Sequence, residues 1–221
     1  MRGLIWTVVV LTLLLGGATV ADGLARSAAE DRVAAEIAQT LPGVEGTPEI
    51  SIGGFPFLTQ YAAGRLRSVQ ITAGHATVEG LRMEDVVVVL DGVTTARPYT
   101  AEHGTMSALV RPQAIAAVMS VPLDLSIRDG ELTASMSVLG LPLDVLLEAR
   151  AAGRDVLVDV TGFVLAGAHV DAGDLPAAIT AQLSGLAFGV PGLPSGMELT
   201  AVSATPDGLV LTAEGRTLSL S

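Results

Sequence analysis

The side chains that most often perform catalysis are sparse in this sequence and lack the spacings that active sites need. The three histidines, His75, His103 and His169, form neither a His-x-His nor a His-Glu-x-x-His pattern, and no serine lies in a Gly-x-Ser-x-Gly elbow. Cysteine is absent, which excludes thiol chemistry, a Cys-ligated metal, a disulfide framework and an acyl-lipoprotein attachment site. No glycine-rich phosphate loop leads from a predicted strand into a helix. These observations predict a protein that is not an enzyme and that carries neither a cofactor nor a metal.

The charge and the aromatic content argue against nucleic acid as a partner. Twelve basic residues oppose 23 acidic ones, for a net charge of −11 at pH 7. Such a surface opposes non-specific attraction to phosphate backbones and to anionic lipid head groups, so any lipid contact should be local. Aromatic residues make up 3% of the chain, and the single tryptophan, Trp6, lies in the apolar N-terminal segment. The stacking platforms of proteins that bind single-stranded nucleic acid are therefore missing.

The N-terminus has the pattern of an export signal. A positively charged start precedes the apolar residues 4–20, and small residues lie at the positions that a signal peptidase inspects. Two interpretations are open: a cleaved signal peptide, or an uncleaved anchor, because about 17 apolar residues reach the lower limit of a membrane span. Under both, residues 1–21 are a leader and residues 22–221 form one exported domain. The domain is then periplasmic or at the extracytoplasmic face of the cell membrane, held there by residues 4–20 if they are an anchor.

Beyond the leader, the hydrophobic period changes from that of a helix to that of a strand. Apolar positions in residues 22–41 recur at helical spacing, and Pro42-Gly43 ends the run. From Glu49 onward, apolar and polar residues alternate, which is typical of strands with one buried face. The clearest case is a hairpin over residues 123–138 that turns at Asp129-Gly130.

Further strands and two short helices complete the predicted fold. Residues 141–160 continue as an antiparallel meander, and residues 197–213 form a last hairpin. The stretch from Val86 to Leu90 is apolar on both faces, which favours a central strand. Helices at Pro112–Met119 and Pro176–Leu183, each with proline in its first turn, should cap the ends of the sheet. The expected fold class is α+β, dominated by antiparallel sheet.

The most distinctive segment is Gly53–Gln60, which holds two of the four phenylalanines and is followed directly by Tyr61. One interpretation is a corner at which Phe55 and Phe57 close one end of the core while Pro56 fixes the turn. The other interpretation is the apolar mouth of a binding groove. The residues alone leave both open.

The segment Gly54-Phe55-Pro56-Phe57-Leu58-Thr59-Gln60, placed after a leader and a helix and before a strand, resembles the motif of the LmeA-like phospholipid-binding family of actinobacterial cell envelopes. A looser resemblance extends along the chain through the strand end at Asp91-Gly92-Val93 and the helix at 111–119. It implies a TULIP or BPI-like fold, in which a strongly bent antiparallel sheet wraps around the N-terminal helix and short helices act as caps. It also implies an apolar groove for acyl chains, with phospholipid and the membrane surface as partners.

The resemblance and the aliphatic faces of the strands together suggest which residues contact lipid. Methionine side chains adapt to mobile acyl chains, although filling a core explains them as well. The candidate lipid-binding residues are Phe55, Pro56, Phe57, Leu58, Tyr61, Met83, Met106, Met119 and Met136. Arg65 and Arg67, two apart on one strand face, are the head-group candidates, because a guanidinium can grip a phosphate. Surface solubility explains these two arginines equally well.

Three functions follow from these observations. The favoured one is a non-enzymatic lipid-binding or lipid-transfer protein of the cell envelope, supporting envelope lipid or lipoglycan assembly. The second is a structural scaffold at the membrane surface, with a filled core and no groove. The third is a lipid-modifying enzyme in which folding brings other groups to His103 and Glu102. Under the first, Phe57→Ala is expected to weaken lipid retention more than it weakens folding.

Overall fold

The computed structural model describes residues 2–40, 43–119, 124–128, 130–138, 141–165, 167–171, 186–190 and 192–220. The helices within these residues are α1 (Arg2–Thr40), α2 (Phe57–Ala62) and α3 (Pro112–Met119). The end of α1 agrees with the predicted helix, but α1 starts at Arg2, so the apolar leader and that helix are continuous. None of the helices in the described part of the chain combines the length and the apolarity that crossing a bilayer requires.

Of the short helices, α3 has the predicted bounds, whereas the sequence did not predict α2. The α3 helix begins with Pro112 and buries Ile115 completely. The helix predicted at Pro176–Leu183 lies outside the described residues. The α2 helix follows directly after Pro56, which has an extended backbone and contributes no side-chain hydrogen bond to the helix start.

Two antiparallel sheets contain the thirteen strands that the described residues form. The strands are β1 (Val44–Glu45), β2 (Glu49–Gly53), β3 (Arg65–Val78), β4 (Leu81–Thr94), β5 (Thr100–Val110), β6 (Asp124–Arg128), β7 (Glu131–Val138), β8 (Leu141–Ala152), β9 (Asp155–Leu165), β10 (Ala168–Asp171), β11 (Leu186–Gly189), β12 (Ser195–Thr205) and β13 (Gly208–Ser219). The first sheet has the order β1-β3-β4-β5-β13-β12, and β2 also pairs with β3. The second sheet has the order β10-β9-β8-β7-β6, and β11 also pairs with β9. The α+β class with mostly antiparallel strands is confirmed.

The predicted hairpins and the predicted central strand are confirmed by the pairing. In the β6–β7 hairpin, Ile127 lies opposite Leu132, and Gly130 in the turn has the positive φ of 84° that glycine adopts without strain. The stretch Val86–Leu90 lies in β4, which pairs with β3 on one side and with β5 on the other. The last predicted hairpin is β12–β13.

One hydrophobic core, the main cluster, is shared by the two sheets and α3. Its members alternate along the strands with exposed polar residues, as the period of two requires. Fully buried side chains of this cluster are Leu81, Val110, Ile115, Leu132, Val156, Val158 and Leu209. Because both sheets and α3 contribute to it, the space between the sheets is occupied by side chains along this core.

The turn between β8 and β9 connects the second sheet to the first. The guanidinium of Arg154 donates hydrogen bonds to the carbonyl oxygens of Leu193, Pro194 and Met197 at 2.6, 3.1 and 3.0 Å. The backbone N–H of Leu199 in β12 donates to the Gly153 carbonyl at 2.6 Å. This turn therefore fixes the start of β12 against the second sheet.

A smaller core, the second cluster, lies between α1 and the first sheet. It contains Ala34 of α1, Ile50 and Ile52 of β2, Phe57 of α2 and Val69 of β3. The α1 helix contacts β1, β2 and α2. The enclosure of this helix by a strongly bent sheet remains a prediction.

Candidate functional site

The aromatic segment forms a corner between β2 and β3, which we call the α2 corner and define as residues 53–62. Gly54 has a φ of +85°, and a Cβ at this position would lie 2.9 Å from Gln60 Nε2, so the backbone here requires glycine. Pro56 is extended and immediately precedes α2. Thr59 Oγ1 donates to the Pro56 carbonyl at 2.9 Å.

The start of α2 is capped by a carboxylate from α1. The first N–H groups of any helix lack partners within the helix. Here the N–H groups of Phe57 and Leu58 donate to Oδ2 and Oδ1 of Asp22 at 2.8 and 2.7 Å. Asp22 is only 3% exposed. A negative charge at a helix N-terminus is favourable, so this buried carboxylate both satisfies two donors and complements the helix dipole.

Two further side chains of α1 continue this contact at intervals of one helical turn. Arg26 Nη2 donates to the Gly54 carbonyl at 2.7 Å, and Glu30 Oε1 accepts the N–H of Ile52 at 2.7 Å. Residues spaced by four share one face of a helix. Asp22, Arg26 and Glu30 therefore form a polar row, the α1 row, that holds α1 against the backbone of the corner.

Gln60 connects the corner to the first residues of β3. Its Oε1 accepts the N–H of Arg67 at 2.8 Å, and its Nε2 donates to the Pro56 carbonyl at 3.2 Å. Gln60 is buried, although its type is usually exposed. The amide therefore supplies the side-chain partner of the Arg67 N–H and a second donor to the Pro56 carbonyl, which Thr59 Oγ1 also bonds.

We expect Gln60→Ala to lower the free energy of unfolding by about 1 to 3 kcal/mol, because the Arg67 N–H loses its partner and the Pro56 carbonyl keeps only the hydrogen bond from Thr59 Oγ1. Urea denaturation followed by circular dichroism measures this. Gln70→Ala is the matched control, since Gln70 is exposed on the same sheet and bonds only Thr72, at 3.5 Å. Equal effects of the two substitutions would contradict the role given to Gln60.

The corner divides its apolar side chains between the core and the surface. Phe57 is 4% exposed and belongs to the second cluster, whereas Phe55, Leu58 and Tyr61 are 57%, 44% and 57% exposed. Leu58 and Tyr61 are three apart on α2 and share a face, and the Tyr61 ring lies 5.9 Å from the Phe57 ring. We call Phe55, Leu58 and Tyr61 the α2 patch. The burial of Phe57 agrees with the interpretation in which this ring closes one end of the core. The exposure of Phe55 agrees with the interpretation in which this ring lies at an apolar mouth on the surface.

The two head-group candidates lie at the start of β3, next to the corner, and they differ in their partners. Arg65 forms an ion pair with Glu102 of β5. Arg67 is exposed, and within the described residues no carboxylate forms an ion pair with it. Its side chain passes close to Gly54, since a Cβ added to this glycine would lie 3.0 Å from Arg67 Cδ. Arg67 is therefore the guanidinium at the corner that can accept an anionic group without exchanging a partner.

The structure does not bring the predicted methionines to the corner. Met83 is buried in the main cluster and pairs with Ala76, eleven residues from the end of β4 that adjoins the corner. Met106 is partly buried in the middle of β5, opposite Val88. Met119 and Met136 lie in α3 and β7, and their side chains are outside the described set. Lipid contact by these methionines remains a prediction.

Other features on the described surface do not form an enclosed pocket or a cluster of metal ligands. A depression of about 480 Å³ lies along α1, but it is open and lined by polar residues including Asp31, Glu36 and Gln39. His103 lies 3.9 Å from Asp91, and its neighbour Glu102 is engaged with Arg65. Across the residues that were placed, no three His, Asp or Glu side chains converge as metal ligands would.

Sequence reasoning missed the residues that build the corner. It assigned no role to Asp22, Arg26, Glu30 or Gln60. Three charged residues at intervals of four on a weakly apolar helix are the signal that indicates a polar contact face on α1. The sequence does not reveal which backbone groups they bond, because these lie 22 to 36 residues further along the chain.

The chain matches a known protein family over most of its length. The model of the LmeA-like phospholipid-binding family matches residues 20–214. This range starts just before Asp22 and ends within β13, so it includes the α1 row, the α2 corner and both sheets. Neither a curated protein nor a solved structure matches the chain significantly.

Proposed function

The chain belongs to the LmeA-like phospholipid-binding family. From this premise we propose that it is a non-enzymatic protein that binds phospholipid at the α2 corner. The observation that carries this proposal is the α2 patch beside Arg67. Leu58 and Tyr61 of α2 and Phe55, two residues before this helix, stay in water, whereas Phe57 is buried. Apolar surface of this kind gains free energy when an acyl chain covers it.

The head group is assigned by the charge next to the patch. A guanidinium can donate two parallel hydrogen bonds to phosphate oxygens, and such bonds are stronger than those between neutral groups. Arg67 lies two residues from Arg65 on the same strand, and Arg65 is already paired with Glu102. Arg67 is therefore proposed as the phosphate contact, with Arg65 beside it.

The groove, the location and the cellular role that the family resemblance implies are part of the same proposal. The acyl chains lie in an apolar groove of TULIP type, with its mouth at the α2 patch and its wall formed by the second cluster, which α1 covers. The domain is exported and works at the extracytoplasmic face of the cell membrane. Its binding of phospholipid supports lipid transfer and the assembly of envelope lipids or lipoglycans.

Photo-crosslinking tests the binding and its position. The full chain is mixed with phosphatidylcholine vesicles that contain a trace of phospholipid with a diazirine on the acyl chain, and crosslinked peptides are identified by mass spectrometry. We expect lipid adducts on peptides of the α2 corner. Arg67→Gln should lower their yield about five- to tenfold, since it removes charge-assisted bonds to the phosphate.

Arg82→Gln is the matched control. Arg82 is exposed on the neighbouring strand but bonds both oxygens of Glu45 at 2.8 and 3.1 Å, and it is the second residue of β4, at the end away from the corner. Its substitution should leave the yield of adducts unchanged. Adducts spread evenly over the chain, or equal losses in both variants, would contradict the assignment of the corner.

A second candidate function, a scaffold without a lipid site, is favoured by one observation. Both sheets and α3 fill the main cluster, so the interior of this region already has its apolar occupants. A scaffold of this type gives no specific lipid adduct in the same experiment. The crosslinking result therefore decides between the two candidates.

A further inference from the structure

The exposed aromatic side chains gather at one end of the first sheet. Among the aromatic residues whose side chains the structure describes, Phe55, Tyr61 and Tyr99 are the exposed ones, while Phe57 and Phe188 are buried and Phe163 is partly buried. Exposed aromatic residues are uncommon on a chain with an aromatic content of 3%. Their collection at one end therefore calls for a common cause.

Two neighbouring segments form this end. Arg65, at the start of β3, pairs with Thr94 at the end of β4, and the N–H of Thr95 donates to the Gly64 carbonyl at 3.1 Å. The loop between β4 and β5 therefore lies against the end of α2. In this loop the Arg97 guanidinium lies 5.7 Å from the centre of the Tyr99 ring. We call residues 53–68 together with residues 92–101 the tip.

The charge of the tip is opposite to that of the chain. The residues of the tip include Arg65, Arg67 and Arg97 and no aspartate or glutamate, although the chain has 23 acidic and 12 basic residues. Two carboxylates from neighbouring segments contact the tip, Glu102 at Arg65 and Asp22 at the start of α2, which leaves Arg67 and Arg97 as its guanidinium groups without a carboxylate partner in the described residues. Lipid phosphates attract arginine near a membrane surface, and tyrosine and phenylalanine are favoured at the boundary between head groups and acyl chains. The exposed aromatic side chains of the tip and its arginines therefore both match the boundary between head groups and acyl chains.

The direction of α1 gives a third, independent argument. Its polar contacts run from Glu30 at Ile52, through Arg26 at Gly54, to Asp22 at the start of α2. The helix therefore approaches the tip as it is followed toward its N-terminus. The twenty residues before Asp22 continue in the same direction for about 30 Å at 1.5 Å per residue. Most of them belong to the apolar segment 4–20.

We propose that the tip docks on the surface of a phospholipid bilayer, with Phe55, Leu58, Tyr61 and Tyr99 at the boundary with the acyl chains and with Arg67 and Arg97 among the phosphates. This rests on the proposed binding of phospholipid and adds the orientation of the domain to it. Docking by the tip places the α2 corner against the layer that supplies its lipid. It also brings the apolar start of α1 to the same membrane.

Single fluorescent labels test this orientation, and the absence of cysteine makes each introduced thiol unique. Leu58→Cys reports on the tip. Ser203→Cys is the matched control, since Ser203 is exposed and pairs with Val210, which lies opposite Leu109. Leu109 is nine residues along β5 from Thr100, which puts the control about 30 Å from the tip.

The full-length variants carry an environment-sensitive dye, NBD, and are mixed with phosphatidylcholine–phosphatidylglycerol vesicles that contain spin-labelled lipid. Both labelled variants contain the apolar N-terminal segment, so the difference in quenching between the two positions reports the orientation of the domain, and the Arg→Gln variants report the contribution of the tip. We expect the label at position 58 to shift to shorter wavelength and to be quenched several-fold more than the label at 203. Adding Arg67→Gln and Arg97→Gln should reduce the quenching at 58, as should high salt.

Equal quenching at both positions would overturn the docking. A wavelength shift at position 58 that is present without vesicles and grows with protein concentration would mean that a second copy of the chain covers the tip, and it would overturn the docking as well. Lipid adducts at the α2 corner together with an unquenched label at 58 would reject the docking and leave the binding of phospholipid in place. The absence of lipid adducts at the α2 corner in the photo-crosslinking experiment would reject the binding of phospholipid itself.

Discussion

Phe57→Ala is expected to lower the free energy of unfolding by about 3 to 5 kcal/mol, the range for truncating a buried phenylalanine. The ring is 4% exposed and packs in the second cluster with Ile50, Ile52 and Val69. Removal therefore leaves a cavity between α1 and the first sheet. Equilibrium denaturation in urea, followed by circular dichroism, measures the change.

Phe55→Ala is the control with the same chemistry two residues away. Because Phe55 is 57% exposed, its truncation should change stability by less than about 1 kcal/mol, and it should lower the yield of lipid adducts. The sequence alone leads to the expectation that Phe57→Ala weakens lipid retention more than folding. The burial of Phe57 shows that folding depends on the ring as well, and its effect on lipid retention stays a prediction. Equal stability losses in the two variants would contradict the separation of the two rings.

Asp22→Ala is expected to cost about 2 to 4 kcal/mol, because it leaves one buried and one partly buried N–H group at the start of α2 without a partner and removes a favourable charge. Asp22→Asn keeps the shape but can accept with only one oxygen, so about half of the loss should remain. Hydrogen exchange of the peptide that covers α2 is the most direct measurement, since local opening raises its rate. Urea denaturation gives the total effect.

Asp31→Ala provides the comparison on the same helix. Asp31 is exposed and lines the open depression along α1, so its removal should leave exchange in α2 unchanged. Faster exchange in both variants would mean that the negative charge of α1 in general supports α2. Unchanged exchange in Asp22→Ala would remove the capping role of Asp22.

The sheets could be predicted because their signals are local. Alternation of apolar and polar residues located the β6–β7 and β12–β13 hairpins, and the doubly apolar stretch at Val86–Leu90 indicated a strand with neighbours on both sides. The family resemblance, which rests on the segment 54–60, is confirmed by the match over residues 20–214. These features depend on neighbours in sequence.

The features that could not be predicted from the sequence depend on residues that are distant in the chain. The α2 helix has only six residues and no side-chain cap of its own, so propensity alone does not indicate it. Its cap comes from Asp22, 35 residues earlier. The different burial of Phe55 and Phe57 is equally a tertiary effect, since two aromatic residues in one turn have no periodicity that distinguishes the inner from the outer ring.

The strand order of the first sheet also affects how the fold is completed. The β13 strand pairs with β5, so that Ser219 lies opposite Thr100, and all strands of the second sheet come between β5 and β12 in the chain. During synthesis from the N-terminus, every strand of the second sheet therefore emerges before β5 acquires its outer neighbour. A nascent or truncated chain without residues 195–219 would present β5 as an open edge and would lack Leu209, Leu211 and Ala213 from the main cluster. The C-terminal hairpin thus acts as the closing element of the domain, and its loss should promote aggregation rather than a shorter stable fold.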